Sequence, residues 1–280
     1  MKIKIMSDST CDLPKGLLEK YDISIVPLNV VKNDEAFLDG VTITTDEIFA
    51  HVAAGGNLCS TAAVSVLDYQ DKFAEFADKY DAVIHINISS ELSASYQNAS
   101  LAASEFDNVV TIDSRNLSTG QGLVVLKACE LVESGAPVEK IKEELIEYTS
   151  KVEASFLIDR LDYMVKGGRC STVAALGANL LGLKPCIEVK NGKLSVVKKY
   201  RGNYAKCLGS YVKERLANRD DLDKKHLFVT HTPVSDECKN AVTTAVGEYA
   251  DFENIYWSTA GCTISCHCGP GTLGVLFATK

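Results

Sequence analysis

The sequence lacks the features of a nucleic-acid-binding or membrane-spanning protein. Its 280 residues contain 29 Lys and Arg against 37 Asp and Glu, a net charge of −8. There is no basic stretch that could displace counterions from phosphates. The most apolar stretch, Val173–Leu183, is too short to span a bilayer. We therefore expect no nucleic-acid partner and no more than transient contact with a membrane.

Two further features are scarce. Ten cysteines in 280 residues are too few for a disulfide scaffold, and the residues after Met1 carry charges but no apolar signal-peptide core. This pattern predicts a cytoplasmic protein with reduced thiols. In contrast, 46% of the residues are hydrophobic and 24% are charged, a composition typical of a folded globular chain with a substantial core.

The order of strand-like and helix-like segments indicates an α/β fold. In the first half, strands are predicted at Lys2–Met6, Ile23–Val31, Ala82–Ile88 and Val109–Ile112, with helices between them. This alternation favours a mostly parallel sheet with helices on its faces. Later in the chain, Asn191-Gly192 predicts a hairpin turn, and two further strands alternate with two helices, the first of which is predicted over Tyr204–Leu216. We predict two packed α/β domains, residues 1–154 and 155–280.

Hydroxyl and short acidic residues follow the predicted strands of the first half. In open parallel sheets, ligands bind beyond the carboxyl ends of the strands. Hydroxyl donors suit a single carboxylate better than a triphosphate, which usually recruits Lys, Arg or a metal. The same residue types are also ordinary turn and N-cap residues, so both interpretations stand. The segments are Ser7–Thr10, Ser60-Thr61, Ser89–Ser93 and Asp113-Ser114.

Nucleotide-binding motifs are not supported. The sequence contains no P-loop. The stretch Gly269–Gly274 matches G-x-G-x-x-G, but only six residues follow it, too few for the helix, strand and acidic residue of a dinucleotide-binding unit.

The segment around His267 is the most unusual part of the chain. Cys262, Cys266 and Cys268 crowd this histidine, yet their spacing matches no familiar zinc arrangement, and we predict no metal. His267 precedes Gly269-Pro270-Gly271, and we expect it on a loop that presses close to a ligand, as a hydrogen-bond donor or an acid–base group.

Taken together, several motifs resemble the DegV family of bacterial lipid-binding proteins. Their order and spacing span nearly the whole chain. They are Ser7-Asp8-Ser9-Thr10, Asp39-Gly40, Thr61–Ser65, Ser90–Tyr96, Asp113-Ser114, Gly167-Gly168-Arg169, Leu183-Lys184-Pro185 and His267–Gly271.

The resemblance implies a carrier that buries one long-chain fatty acid in a tunnel between two α/β domains. The carboxylate would be bound by Thr61, Ser93 and His267. A partner fatty acid kinase would phosphorylate that carboxylate to an acyl phosphate, so the chain itself would be a non-catalytic subunit with no cofactor besides the bound lipid. The small and apolar residues of Thr172–Leu183 suit a segment that lines or gates the tunnel, the alternative being an ordinary buried helix.

Two questions remain open at this level. Ala62 and Val64 stand where the family pattern has Ser and Pro, so position 62 offers only its backbone to a ligand. Arg169 and Arg201 are assigned to docking the kinase or touching anionic lipid, the alternative being internal ion pairs.

A competing function is a hydrolase or acyltransferase that uses Ser93 or Ser9 with His267, although no G-x-S-x-G motif supports it.

Overall fold

The computed structural model describes residues 1–175 and 182–280. Half of the segment Thr172–Leu183, expected to line or gate the tunnel, lies outside the described residues, so that expectation stays a prediction. The described strands are β1 (Ile3–Asp8), β2 (Ser24–Val26), β3 (Asn29–Lys32), β4 (Glu35–Leu38), β5 (Ser60–Ala62), β6 (Ala82–Asn87), β7 (Val109–Asp113), β8 (Val152–Leu157), β9 (Leu183–Lys190), β10 (Lys193–Arg201), β11 (Leu222–His231), β12 (Asn254–Thr259) and β13 (Leu273–Thr279). The described α-helices are α1 (Lys15–Lys20), α2 (Thr45–Ala53), α3 (Val66–Ala77), α4 (Ser95–Ala103), α5 (Ser118–Glu133), α6 (Val138–Thr149), α7 (Asp162–Gly167), α8 (Ser171–Ala174), α9 (Tyr204–Leu216), α10 (Asp236–Tyr249) and α11 (Cys262–Cys268).

The first half forms the predicted parallel sheet. Its four strands run in the order β2-β1-β6-β7, and every neighbouring pair is parallel. The carboxyl ends of these strands therefore lie along one edge, where the side chains that follow them can meet. Two helices of this half begin at residues that cap them locally. Thr44 and Glu47 form a reciprocal capping box at the start of α2, and the Ser65 side chain caps α3.

The second half forms a six-stranded mixed sheet in the order β10-β9-β8-β13-β11-β12. Only the pair β11 and β12 is parallel among its described neighbours. The Asn191-Gly192 turn joins β9 and β10 as predicted, because both residues adopt the positive φ angles that such a turn requires.

The prediction of one strand over Ile23–Val31 is wrong. The segment splits at Pro27 into β2 and β3, which belong to different sheets. Proline has no backbone N–H to donate to a ladder, so the chain leaves the parallel sheet there. Strand β3 instead pairs with β4 and β5 in a small antiparallel sheet, which carries Thr61 in β5.

Helix α5 lies between the two larger sheets. It contacts β1 and β6 on one side and β8, β11 and β13 on the other, and twelve of its sixteen residues are buried. A helix that is buried nearly all round forms a central layer rather than a surface element. The main hydrophobic cluster accordingly contains residues of both halves, such as Ile86, Val124 and Leu276.

The predicted boundary between residues 154 and 155 falls inside strand β8, which belongs wholly to the second sheet. The division into two domains stays a prediction. Among the helices of the described residues, none combines the length and the apolar character needed to cross a bilayer.

Candidate functional site

A narrow cavity lies between the two halves of the chain. Its wall is mostly apolar, and both halves contribute to it. The polar members are Thr61, Ser93, Arg169, Thr263 and His267, and the apolar members include Leu28, Ile88, Leu117, Met164, Leu194 and Ile264. A mostly apolar cavity with a few polar groups is typical of a site for an amphipathic small molecule.

Most of the hydroxyl-rich residues predicted at the strand ends serve the fold itself. Ser7 donates a hydrogen bond to the carbonyl of Ile86, Ser89 donates to the carbonyl of Gly192, and Ser90 donates to Asp113. The ordinary interpretation as turn and structural residues is therefore right for these positions. Of the four segments, only Ser60-Thr61 and Ser89–Ser93 place a hydroxyl residue in the cavity wall, Thr61 and Ser93 respectively.

Thr61 and His267 form the polar end of the cavity, and Ser93 lies in the same cavity wall. Thr61 Oγ1 lies 2.8 Å from His267 Nε2, which joins the small sheet of the first half to helix α11 of the second. Ser93 Oγ lies 2.9 Å from Ser95 Oγ and accepts a hydrogen bond from the Ser95 N–H at 3.2 Å. Thr61 and Ser93 are partly exposed, so this polar end is the end nearest to solvent.

His267 lies on helix α11 and not on a loop, which corrects the prediction. The glycines expected to free the loop instead follow the helix, where Gly269 and Gly271 adopt positive φ. Two buried acidic side chains hold the start of α11: Asp12, whose pKa is raised to about 8 by burial, accepts from the N–H of Gly261 at 2.9 Å, and Asp39 accepts from two further N–H groups, those of Cys262 and Thr263. Acidic groups at a helix N-terminus satisfy its free N–H groups and stabilise its dipole.

The motif Gly167-Gly168-Arg169 fits against His267. A Cβ atom at position 167 would lie 2.2 Å from His267 Nδ1, so only glycine leaves room for the ring. Gly168 ends α7 with φ +67°. Arg169 then donates to the carbonyl of Gly167 at 2.7 Å and to that of Leu92 at 3.4 Å, which connects the two halves at the cavity wall.

The imidazole of His267 is neutral near pH 7. Burial and the neighbouring Arg169 guanidinium lower its pKa from 6.5 to about 4, because both disfavour a second positive charge. His267 Nδ1 is buried and has no hydrogen-bond partner within the part of the chain that the structure describes. The ring therefore offers one N–H in total, and its bond to Thr61 involves Nε2.

This lowered pKa predicts a loss of stability in acid. Below pH 6.5 the unfolded chain binds a proton at His267, whereas the folded ligand-free protein resists protonation until about pH 4. The free energy of unfolding should fall across this window by up to about 3 kcal/mol. Glutamine does not titrate, so in His267→Gln this share of the pH dependence should vanish. Urea unfolding of both proteins at several pH values from 7 to 4 measures the difference; equal slopes would contradict the assignment.

The ten cysteines are free and buried. Cys262 and Cys266 pack with Cys59 in a small hydrophobic cluster on the side of α11 away from the main core, and burial raises the pKa of Cys262 to about 12. Such thiols are protonated and act as small apolar side chains. No group of three metal-binding side chains occurs among the residues with described positions.

A second cavity adjoins the first. The two share Leu117, Ile264 and Cys268 as wall residues. Beyond these the second cavity runs toward Phe156 and Leu276, under the six-stranded sheet. The polar side chains in its wall are already bonded within the protein; they are Ser118, Thr230, His231, Thr232 and Thr272. The second cavity thus offers a mostly apolar wall to a ligand.

The profile described as "Uncharacterised protein, DegV family" matches residues 2–280. The chain belongs to the DegV family. A DegV domain-containing protein of Clostridium perfringens is 34% identical, with 100% of this chain and 99% of that protein covered. A protein of Thermotoga maritima named "Fatty acid-binding protein" is 31% identical, with 98% and 96% covered.

Solved structures of DegV proteins share the α/β fold. A structure described as fatty acid binding of a DegV family protein from Thermus thermophilus has a TM-score of 0.90 at 28% identity. DegV of Bacillus subtilis, described as a fatty acid binding protein, has a TM-score of 0.83 at 28% identity. Both comparisons cover 100% of each chain. The predicted family and fold class are confirmed.

The two arginines assigned to docking occupy different environments. Arg169 is exposed and is part of the cavity wall beside His267, a position that the sequence did not reveal. Arg201 is exposed at the end of β10, opposite Leu183 in the hairpin. Sequence reasoning missed Thr263, Asp12 and Asp39, because only the folded chain brings Asp12 and Asp39 to the start of α11 and Thr263 into the cavity.

Proposed function

We propose that this protein binds one long-chain fatty acid, with the carboxylate at Thr61, Ser93 and His267 and the acyl chain in the two adjoining cavities. The observation that carries this proposal is a cavity with a few polar groups in its wall that adjoins a second, mostly apolar cavity. The DegV relatives described as fatty acid binding proteins support it.

The physical chemistry of the two ends supports an acyl ligand. Burying a sixteen-carbon chain is worth up to about 12 kcal/mol before ordering and association costs, at ~0.8 kcal/mol per methylene. A carboxylate in such a cavity needs hydrogen-bond donors, since an unpaired buried charge is very costly. The hydroxyl groups in the cavity wall are such donors, and the guanidinium group of Arg169 adds a positive charge nearby.

We further propose that the protein presents the bound carboxylate to a partner kinase, which forms an acyl phosphate. Ala62, Ala94 and Arg169 are exposed close to Thr61 and Ser93 along the chain or in the cavity wall, so the carboxylate would lie nearer to solvent than the acyl chain. Arg169 and Arg201 would dock the acidic surface of the kinase and touch anionic lipid transiently. In this role the protein is a carrier without catalytic residues.

The competing hydrolase has weaker support. Ser9 Oγ donates to Asp39 and accepts from the N–H of Leu28, and Ser93 bonds with Ser95. Within the described chain His267 has no carboxylate on Nδ1 to orient it as a base. A fluorophosphonate that labels the protein, with labelling abolished in Ser93→Ala, would favour this alternative.

The first test is organic extraction of the purified protein, followed by mass spectrometry. We expect about one fatty acid per chain, or saturable binding of added hexadecanoic acid to the delipidated protein. If no lipid is recovered and added acid does not bind, the carrier proposal falls. The kinase step is tested by trapping any acyl phosphate with hydroxylamine as a hydroxamate. The lipid-loaded protein with ATP alone should yield no hydroxamate, whereas addition of an extract of the source cells should produce it.

A further inference from the structure

Thr263 is a polar residue inside the cavity whose hydroxyl is not used by the fold. The residue is only 4% exposed, forms part of the cavity wall, and its Oγ1 has no hydrogen-bond partner in residues 1–175 and 182–280. A threonine hydroxyl on a helix commonly bonds back to a carbonyl three or four residues earlier. A buried hydroxyl without a partner is costly and rare, which points to a partner that arrives with the ligand.

The position of Thr263 connects it with the polar end of the cavity. It lies four residues before His267 on α11, so both side chains occupy the same face of the helix, one turn apart. Ile264 and Cys268 border both cavities, whereas Thr263 and His267 border only the first. Thr263 therefore lies in the same cavity as Thr61 and Ser93, one helical turn from His267.

A count of donors shows that a carboxylate at this end has room for another hydrogen bond. An ionised carboxylate accepts at about four lone-pair positions. Thr61 and the neutral His267 bond to each other, so the pair leaves one donor for a ligand. Ser93 supplies a second when Ser95 donates to it. Arg169 is exposed and hydrated, while Thr263 is buried, where a donor is worth more.

We propose that Thr263 is a further ligand-binding residue, whose hydroxyl donates a hydrogen bond to the carboxylate of the bound fatty acid. This inference rests on the proposed function. The same hydroxyl chemistry would also suit an acid that carries a hydroxyl close to its carboxyl group, such as a 3-hydroxy fatty acid, and the experiment separates the two sources.

The test uses Thr263→Val, which keeps the shape but removes the hydroxyl, with Thr263→Ser as the matched control. The Thr263→Val substitution should weaken binding of hexadecanoic acid about tenfold, and Thr263→Ser should keep the affinity within about threefold of the original. With hexadecanoic acid labelled with ¹³C at the carboxyl carbon, the resonance of the bound carboxyl group should shift in Thr263→Val and return to its original position in Thr263→Ser. A purely structural role would leave that resonance in place.

The thermal midpoints provide a second readout with a change of sign. Without ligand, Thr263→Val should melt at the same or a higher temperature than the original protein, because it lacks a buried hydroxyl that has no partner among the described residues. With saturating hexadecanoic acid, the melting temperature of the original protein should rise by more than that of Thr263→Val. If Thr263→Val fails to fold, Thr263→Ala is compared with Thr263→Ser in the same way.

Three outcomes overturn the inference. The first is an unchanged affinity and an unchanged carboxyl resonance in Thr263→Val. The second is that Thr263→Val weakens the binding of 3-hydroxyhexadecanoic acid alone and leaves that of hexadecanoic acid unaffected. The third is that Thr263→Ser binds hexadecanoic acid as weakly as Thr263→Val, which would show that the effect comes from packing. Failure of the original protein to bind any of these acids would instead refute the proposed function, so the two failures are distinguishable.

Discussion

Replacing Gly167 with alanine should abolish most fatty acid binding while leaving the fold intact. The new Cβ would lie 2.2 Å from His267 Nδ1, and the ring cannot remain there. Because α11 is held by Asp12 and Asp39, the ring must turn away and break its bond to Thr61. We expect the free energy of unfolding to fall by about 1–3 kcal/mol and the affinity for hexadecanoic acid to fall roughly 100-fold.

Gly247→Ala is the matched control for this substitution. Gly247 also lies in a helix, α10, and a Cβ there would meet nothing within 4 Å. Alanine should raise the free energy of unfolding by up to about 1 kcal/mol and leave binding unchanged. Isothermal titration and urea unfolding measure both quantities. Wild-type affinity in Gly167→Ala would show that the position of the His267 ring does not matter for the ligand.

Thr61→Val and Ser93→Ala should each release the fatty acid without unfolding the protein. Each removes one hydroxyl from the polar end of the cavity, and hydrogen bonds to a charged group are worth about 1.5–3 kcal/mol, which is roughly 10-fold to 150-fold in affinity. The double variant should lose less than the product of the two effects, since both side chains would serve one carboxylate. Lipid recovered per chain and titration with hexadecanoic acid give the measurement.

Ser100→Ala controls for the loss of a hydroxyl elsewhere in the first half. Ser100 lies in α4 and bonds with Thr111, outside the cavity wall. Its variant should keep the full lipid content. If Thr61→Val and Ser93→Ala keep it as well, the carboxylate is bound by other groups, and the assignment of the polar end is wrong.

Local sequence signals predicted many elements well, because their causes are local. Helix α9 begins and ends at the predicted residues, Tyr204 and Leu216. The capping box at Thr44 and the turn at Asn191-Gly192 depend on neighbours within a few residues. The motif order also identified the family correctly. Periodicity failed in Ile23–Val31, because Pro27 ends one strand and the next pairs with strands of another sheet.

The candidate site was predicted in part. Thr61, Ser93 and His267 were chosen from a resemblance, and the folded chain brings all three into one cavity wall. The same hydroxyl-rich pattern also selected Ser7, Ser89 and Ser90, which bond within the protein. A serine that follows a strand has the same local sequence in either case. Which side of the chain it faces depends on neighbours that are 23 to 103 residues away.

The sequence by itself determined the α/β class, the family, the acidic charge and a set of residues among which the site lies. These follow from composition, periodicity and motif order, which are properties of the chain alone. Only the tertiary structure decided that His267 lies on a helix held by Asp12 and Asp39, that Gly167 makes room for its ring, and that the Thr263 hydroxyl has no partner among the described residues. Each of these depends on contacts between distant segments, where packing and desolvation select one use for a side chain that its neighbours in sequence leave open.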